Sequence, residues 1–126
     1  MEAALHILGG KSKGVILYHL FKDDTLRFSE LHRLLRGVNQ RHLTKQLREL
    51  EEDGLLNRVV YPVVPPKVEY SLTDEGKSLY DIVMSLSIWG REWLEKRGMS
   101  TTEDEEIEQL RLAQLESLQA EKNSAD

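Results

Sequence analysis

The apolar residues in the first half of the chain repeat with the 3.6-residue period of an α-helix. They predict four helical segments, over residues 3–8, 11–21, 28–36 and 39–53. In the last segment Leu43, Leu47 and Leu50 are spaced four and three residues apart, so they share one face of the helix. Asn39 is a suitable N-cap because its side-chain oxygen can accept from a first-turn amide, and Gly54 suits the left-handed residue after the helix.

Beyond the fourth segment the pattern becomes typical of β-strands. The runs LLNRVVYPVV, residues 55–64, and KVEYSL, residues 67–72, are rich in Val, Leu and Tyr, and Pro65 and Pro66 separate them. Two such runs around a rigid turn predict a β-hairpin. Pro62 has no amide hydrogen, so its strand is expected to be bulged or to lie at the edge of the sheet.

A long helix is predicted to follow the hairpin. Thr73 is its expected N-cap, acidic residues occupy its first turn, where they suit the helix dipole, and Gly98 is expected to end it. Its apolar residues repeat at intervals of three and four, which is typical of a narrow packing seam: Leu79, Ile82, Leu86, Trp89 and Trp93.

The chain is predicted to consist of a domain over residues 1–98 and an acidic tail over residues 99–126. The apolar residues of the tail fall on one side of a helical wheel and predict an amphipathic helix. They are Ile107, Leu110, Leu112, Leu115 and Leu118.

Charge is distributed unevenly, and its distribution is more informative than its total. The whole chain carries 17 Lys and Arg against 22 Asp and Glu. Residues 25–48 nevertheless contain six Lys and Arg and one acid, whereas residues 101–126 contain two and eight. A binding partner meets the electrostatic field of the surface that it contacts, and the local charge sets that field. On the helix predicted over 39–53, the basic side chains lie opposite the leucines and therefore face solvent.

The composition disfavours several classes of function. The sequence contains no cysteine, which leaves no thiol for disulfides, metal binding or redox sensing. It lacks both a membrane-length apolar run and a recognisable signal peptide, so a cytoplasmic location is expected. The four histidines lack metal-ligand spacing, and GGKS at residues 9–12 has Leu5 where a phosphate loop needs glycine. We therefore expect no cofactor, no metal and no enzymatic activity.

The order of the predicted elements is that of a winged helix-turn-helix. Only Gly37, Val38 and Asn39 separate the helices predicted over residues 28–36 and 39–53, and Gly37 suits a left-handed turn. In such domains the helix after the turn enters the major groove of DNA. The expected fold class is mainly α with a small β-hairpin, as a winged helix-turn-helix DNA-binding domain plus C-terminal dimerisation helices.

The residues that carry this pattern resemble one family. LTKQLRELEEDGLLNR and, most specifically, PPKVEYSLTDEG at residues 65–76 are similar to the HxlR family of bacterial and archaeal transcriptional regulators, a branch close to the MarR-like regulators. The resemblance covers residues 5–98. Ser12 stands where the family commonly has tryptophan, and Val63 stands where the wing is usually acidic. The cysteine through which some relatives sense oxidants is absent.

The resemblance implies that residues 39–53 form the recognition helix and residues 56–72 the wing. The candidate DNA contacts are Asn39, Gln40, Arg41, Thr44, Lys45 and Arg48 on the recognition helix, Arg58 and Lys67 on the wing, and Arg27 and Arg33 at the start and on the side of the helix predicted over 28–36. Arginine can bind guanine with two hydrogen bonds, glutamine can pair with adenine, and both can bind phosphate. The alternatives are a solvated helix face, a capping role for Asn39, an internal brace for Arg58 and packing for His42.

A homodimer is expected, because helix-turn-helix regulators bind pseudo-palindromic DNA with two-fold symmetry. The candidate interface residues are Leu5, Leu8, Leu86, Trp89, Trp93, Ile107 and Leu110. The two tryptophans could instead pack in a core or line a ligand pocket. The tail could instead be disordered and repel DNA.

The predicted function is that of a dimeric, sequence-specific regulator of transcription that binds double-stranded DNA. Repression is the simpler hypothesis, since a small dimer on a promoter can block polymerase. A small-molecule effector is compatible with this function. The alternative is a winged-helix protein-interaction module without specific DNA binding.

Overall fold

The structure, a computed structural model, describes residues 1–10 and 12–99 and, in the tail, residues 112, 115, 116 and 118–122. The helices are α1 (Glu2–Leu8), α2 (Lys13–Asp23), α3 (Phe28–Leu34), α4 (Gln40–Glu52), α5 (Asp74–Lys77) and α6 (Tyr80–Lys96). The strands are β1 (Thr25–Arg27), β2 (Leu56–Tyr61) and β3 (Lys67–Leu72). The chain forms two compact units, residues 1–84 and residues 85–126. The six helices and three short strands among the described residues confirm the predicted fold class, which is mainly helical with a small sheet.

The sheet has three antiparallel strands in the order β1-β3-β2. The hairpin prediction is confirmed, with Leu56 opposite Leu72 and Tyr61 opposite Lys67. Its first strand ends just before Pro62 and lies at the edge of the sheet, as expected for a strand next to a residue without an amide hydrogen. The prediction missed β1. This strand has only three residues and one of them, Leu26, is buried, so its pattern is too short to identify from sequence.

The core of residues 1–84 holds α4 by its leucine side. Leu43, Leu47 and Leu50 are all fully buried, as their spacing predicts. They belong to one apolar cluster with residues in or next to α2, α3, the sheet and the start of α6, namely Ile16, Leu17, Leu20, Leu26, Leu31, Leu35, Leu55, Leu56, Tyr70, Leu72 and Val83. Burying one leucine side chain contributes about 1.5–3 kcal/mol, so this side alone fixes which face of α4 meets solvent.

The turn between α3 and α4 is longer than predicted. Helix α3 ends at Leu34, two residues before the predicted end, and residues 35–39 form the connection. Gly37 has a φ of +81°, in the left-handed region that favours glycine. The Asn39 side chain accepts a hydrogen bond from the His42 amide at 2.7 Å, which confirms the predicted N-cap.

The long helix predicted from Thr73 is broken. Thr73 caps only the single turn α5, by accepting from the Gly76 amide at 3.0 Å, and α6 begins at Tyr80. Between them the Leu79 amide bonds the Gly76 carbonyl at 3.2 Å, three residues back instead of four. This tighter turn interrupts the α-helix, while Leu79 packs against the apolar cluster.

In residues 85–126, the second half of α6 runs to Lys96, and Gly98 follows with a φ of +69°. The Arg97 guanidinium lies 3.9 Å from the centre of the Trp93 ring, and it donates to the Trp93 carbonyl oxygen at 3.2 Å. The described tail residues are helical, and their leucines are exposed. Across the described ranges, no helix combines the length and apolar character needed to span a bilayer.

Candidate nucleic-acid interface

The exposed side of α4 carries the largest group of the predicted DNA contacts. All six candidates in this region are exposed, on the side away from the buried leucines: Asn39, Gln40, Arg41, Thr44, Lys45 and Arg48. Among the described residues, Arg41, Lys45 and Arg48 form no ion pair of their own. The result is a positively charged ridge on a helix whose opposite side is fixed in the core.

Two of the six side chains are already engaged in the structure of α4. The Asn39 oxygen caps the helix, and the Thr44 hydroxyl donates to the Gln40 carbonyl oxygen at 2.8 Å. The cap bond uses only the Asn39 side-chain oxygen, so the side-chain amide nitrogen keeps its donor capacity. His42, for which packing and DNA contact were both open, is half-buried.

Glu49, in the second half of α4, is paired with a residue that sequence reasoning missed. Glu49 Oε2 lies 2.7 Å from Lys13 Nζ, and the Lys13 side chain is only 5% exposed. The hydrogen bond from Lys13 lowers the pKa of Glu49, burial opposes that effect, and the charges of Lys13, Lys45 and His6 lower it further. The two residues are far apart in sequence, so no local pattern pairs them.

The wing holds its lysine in an internal network. Lys67 Nζ lies 2.9 Å from Glu69 Oε1 and 4.8 Å from the centre of the Tyr61 ring. The Tyr61 hydroxyl donates to Glu69 Oε2 at 3.2 Å. The hydrogen bond from Lys67 lowers the pKa of Glu69, burial opposes it, and the Tyr61 hydroxyl and the Arg27 charge assist the lowering. A phosphate at Lys67 would therefore meet an ammonium already paired with a carboxylate.

The other candidate on the wing, Arg58, is exposed on β2, opposite Tyr70. The tip beyond it is apolar and exposed, and the Val64 side chain is fully accessible. Arg27 lies at the end of β1, opposite Glu69, and its backbone amide donates to Glu30 Oε1 at 3.0 Å. Arg33 is exposed on α3.

The candidate dimer residues differ in exposure. In residues 1–84, Leu5 is exposed, whereas Leu8 packs against the apolar cluster. In residues 85–126, Leu86 is exposed, Trp89 is 64% exposed, and Trp93 is half-buried with Arg97 over its ring. The remaining candidates, Ile107 and Leu110, lie outside the described residues.

Comparisons with known proteins agree with this arrangement. The family model for the HxlR-like helix-turn-helix matches residues 7–98. YdeP of Bacillus subtilis, an uncharacterised HTH-type transcriptional regulator, is 48% identical over 96 residues, covering 76% of this chain and 74% of YdeP. An uncharacterised HTH-type transcriptional regulator of Methanothermobacter thermautotrophicus is 52% identical over 91 residues, covering 72% of this chain and 69% of its own.

A solved structure gives the same result. The redox regulator HypR in its reduced form is 49% identical and superimposes with a TM-score of 0.69, covering 72% of this chain and 89% of HypR. The resemblance drawn from the sequence is thus confirmed, and the matched relatives are transcriptional regulators, not enzymes. This chain belongs to the HxlR-like helix-turn-helix family and is a transcriptional regulator with a helix-turn-helix domain.

Proposed function

We propose that this regulator acts as a homodimer that binds a specific, pseudo-palindromic DNA site. The α4 helix of each protomer lies in the major groove, and the wing lies over the flanking backbone. The observation that carries this proposal is the exposed basic ridge of α4, held by three fully buried leucines. The alternative, a module that binds only proteins, gives no reason for six basic residues and one acid over residues 25–48.

The side chains of the ridge have separate roles in this proposal. Arg41 and Arg48 offer two-pronged donors for guanine or phosphate, Lys45 neutralises phosphate, and Gln40 can pair with adenine. Asn39 and Thr44 mainly keep the start of α4 in shape, as their hydrogen bonds indicate. On the wing, Arg58 is a better phosphate contact than Lys67, since Glu69 is bound to Lys67.

The exposed apolar residues support a homodimer. Within residues 85–126, Leu86 and Trp89 lie three residues apart on α6, and each is more than half exposed in the single chain. Neighbouring large apolar residues that are exposed in this way are typical of protein interfaces. A two-fold dimer would present two α4 helices to half-sites about 10 bp apart, or a multiple of that spacing. We propose repression in the cytoplasm as the outcome, by occupation of a promoter.

Fluorescence anisotropy on the DNA upstream of the chain's own gene tests the proposal, with random DNA of the same length as competitor. About six phosphate contacts per site predict a log–log salt slope near −5, at roughly 0.9 per phosphate. Arg41→Ala/Lys45→Ala should weaken binding and make the slope less steep by about two. The control variant Lys77→Ala/Arg91→Ala also removes two positive charges, from exposed positions on α5 and α6. It should change neither the affinity nor the salt slope.

Equal affinity for specific and random DNA would refute sequence-specific recognition. An Arg41→Ala/Lys45→Ala variant that binds as tightly as wild type would refute the assignment of α4 as the recognition helix. Either result would favour the protein-interaction alternative.

A further inference from the structure

Lys13 is buried at the first position of α2, an unusual place for a lysine. Its side chain is 5% exposed, and its ammonium lies 2.7 Å from Glu49 Oε2. Lysine is almost never this buried unless it is paired. Its partner lies on α4, one turn after Lys45 and next to Arg48, on the border between the buried and exposed sides.

We propose that Lys13 is a positioning residue for DNA binding: it binds the Glu49 carboxylate and so keeps that acid from neutralising Lys45 on the α4 ridge. The inference rests on the proposed function, because it needs α4 to bind DNA. In this inference Lys13 lies outside the surface that faces DNA, yet it helps to set the charge of that surface.

Helix geometry explains why Glu49 needs a partner. Residues four apart on a helix are neighbours, and oppositely charged ones attract each other. Lys45 and Glu49 have this spacing, and the charge of Lys45 already contributes to the lowered pKa of Glu49. Without Lys13, the cation that acts on the carboxylate from its own helix is Lys45. Binding of Lys45 to phosphate would then have to break that pair.

The alternative role for the Lys13–Glu49 pair is mechanical. Gln46 is buried on the same side of α4, its amide lies 3.5 Å from Glu49 Oε2, and a Cβ at Gly10 would lie 2.7 Å from its oxygen. The chain just before α2 thus packs closely on α4, and the ion pair could serve only to hold α2 and α4 together. In that case, loss of either partner would have the same consequence.

Single and double substitutions separate the two roles by sign. Lys13→Met removes the charge with little change in length, whereas Glu49→Gln removes the acid and keeps an oxygen that can accept from Lys13. If Lys13 acts by sequestering the acid, Lys13→Met should raise the Kd for the upstream DNA about fivefold and make the salt slope less steep by about one, as for loss of one phosphate-binding lysine. Glu49→Gln should leave the Kd unchanged or lower it.

The double variant Lys13→Met/Glu49→Gln should return the Kd to within about twofold of wild type, since the acid that needed sequestering is gone. Lys77→Met, on the exposed surface of α5, is the control for loss of one lysine and should bind as wild type does. Thermal melts by circular dichroism confirm that each variant is folded. If Lys13→Met is not folded, Lys13→Gln is used in its place. Glutamine removes the charge and keeps a hydrogen-bond donor.

Three results would overturn the inference. One is a Kd for Lys13→Met equal to that of wild type and of Lys77→Met. Another is weaker binding by both Lys13→Met and Glu49→Gln with no recovery in the double variant, which is the result for a mechanical strut. The third is a Kd for Arg41→Ala/Lys45→Ala equal to that of wild type. Of the three results, only this one also refutes the proposed function.

Discussion

Gly76 and Gly14 are both helical glycines, and the structure predicts opposite effects when each is replaced by alanine. Gly76 lies in α5, where an added Cβ would overlap the carbonyl oxygen of Leu55 and lie 3.2 Å from Leu72 Cδ2. Gly14 lies near the start of α2, where an added Cβ meets nothing within 4 Å. Helix propensity favours alanine at both positions, so the difference between them measures the packing at Gly76 alone.

The magnitude at Gly76 follows from what the methyl group meets. Alanine gains up to about 1 kcal/mol over glycine in a helix interior. Overpacking typically costs about 1–3 kcal/mol, and the obstacle here is backbone, which cannot rotate away as a side chain can. The Leu55 carbonyl also accepts from the Thr73 amide at 3.0 Å, so its displacement would strain that hydrogen bond. We expect Gly76→Ala to destabilise the fold by about 1–2 kcal/mol and Gly14→Ala to stabilise it by less than about 1 kcal/mol.

Urea denaturation followed by far-ultraviolet circular dichroism measures both free energies of unfolding. Circular dichroism suits this test because both tryptophans lie in residues 85–126, whereas both glycines lie in residues 1–84. A Gly76→Ala variant at least as stable as Gly14→Ala would refute the close approach of α5 to the backbone at Leu55.

Two further predictions concern pH and assembly. Since Lys13 and Lys67 hold the pKa values of Glu49 and Glu69 below the ordinary 4.5, both carboxylates stabilise the folded state above that pH and lose this effect as the pH falls below it. Glu49→Gln/Glu69→Gln should therefore show a smaller loss of melting temperature on acidification than wild type, and an equal loss would contradict the pairing. Leu86→Glu/Trp89→Ala should convert the proposed dimer to a monomer in light scattering, while Arg91→Ala should not; a wild-type monomer would refute the dimer.

Elements with a repeating pattern were predictable from the sequence. The spacing of Leu43, Leu47 and Leu50 identified the buried side of α4, and Asn39 identified its start. The β-branched runs around Pro65 identified the hairpin. The strand β1 was missed because it has too few residues for a pattern. The break between α5 and α6 was missed because it depends on contacts with distant parts of the chain: Gly76 lies against the Leu55 carbonyl, and Leu79 packs against the apolar cluster.

The same distinction applies to the candidate site. The wheel of α4 sufficed to place its basic residues in solvent. The Lys67–Glu69 pair could also be predicted from the sequence, because residues two apart on a strand share a face. The Lys13–Glu49 pair was not, since it forms only once α2 packs on α4. Sequence thus indicates which charges are available, and the fold decides which of them are neutralised.

The order of charge along α4 completes the argument for a binding role. Arg41 lies in the first turn, and Glu51 and Glu52 lie in the last turn. A helix dipole favours the reverse order, by about 0.3–1 kcal/mol for each charge. Stability of the helix therefore does not explain why Arg41 lies in the first turn. A phosphate does, because it is attracted both by the free amides of that end and by Arg41 beside them.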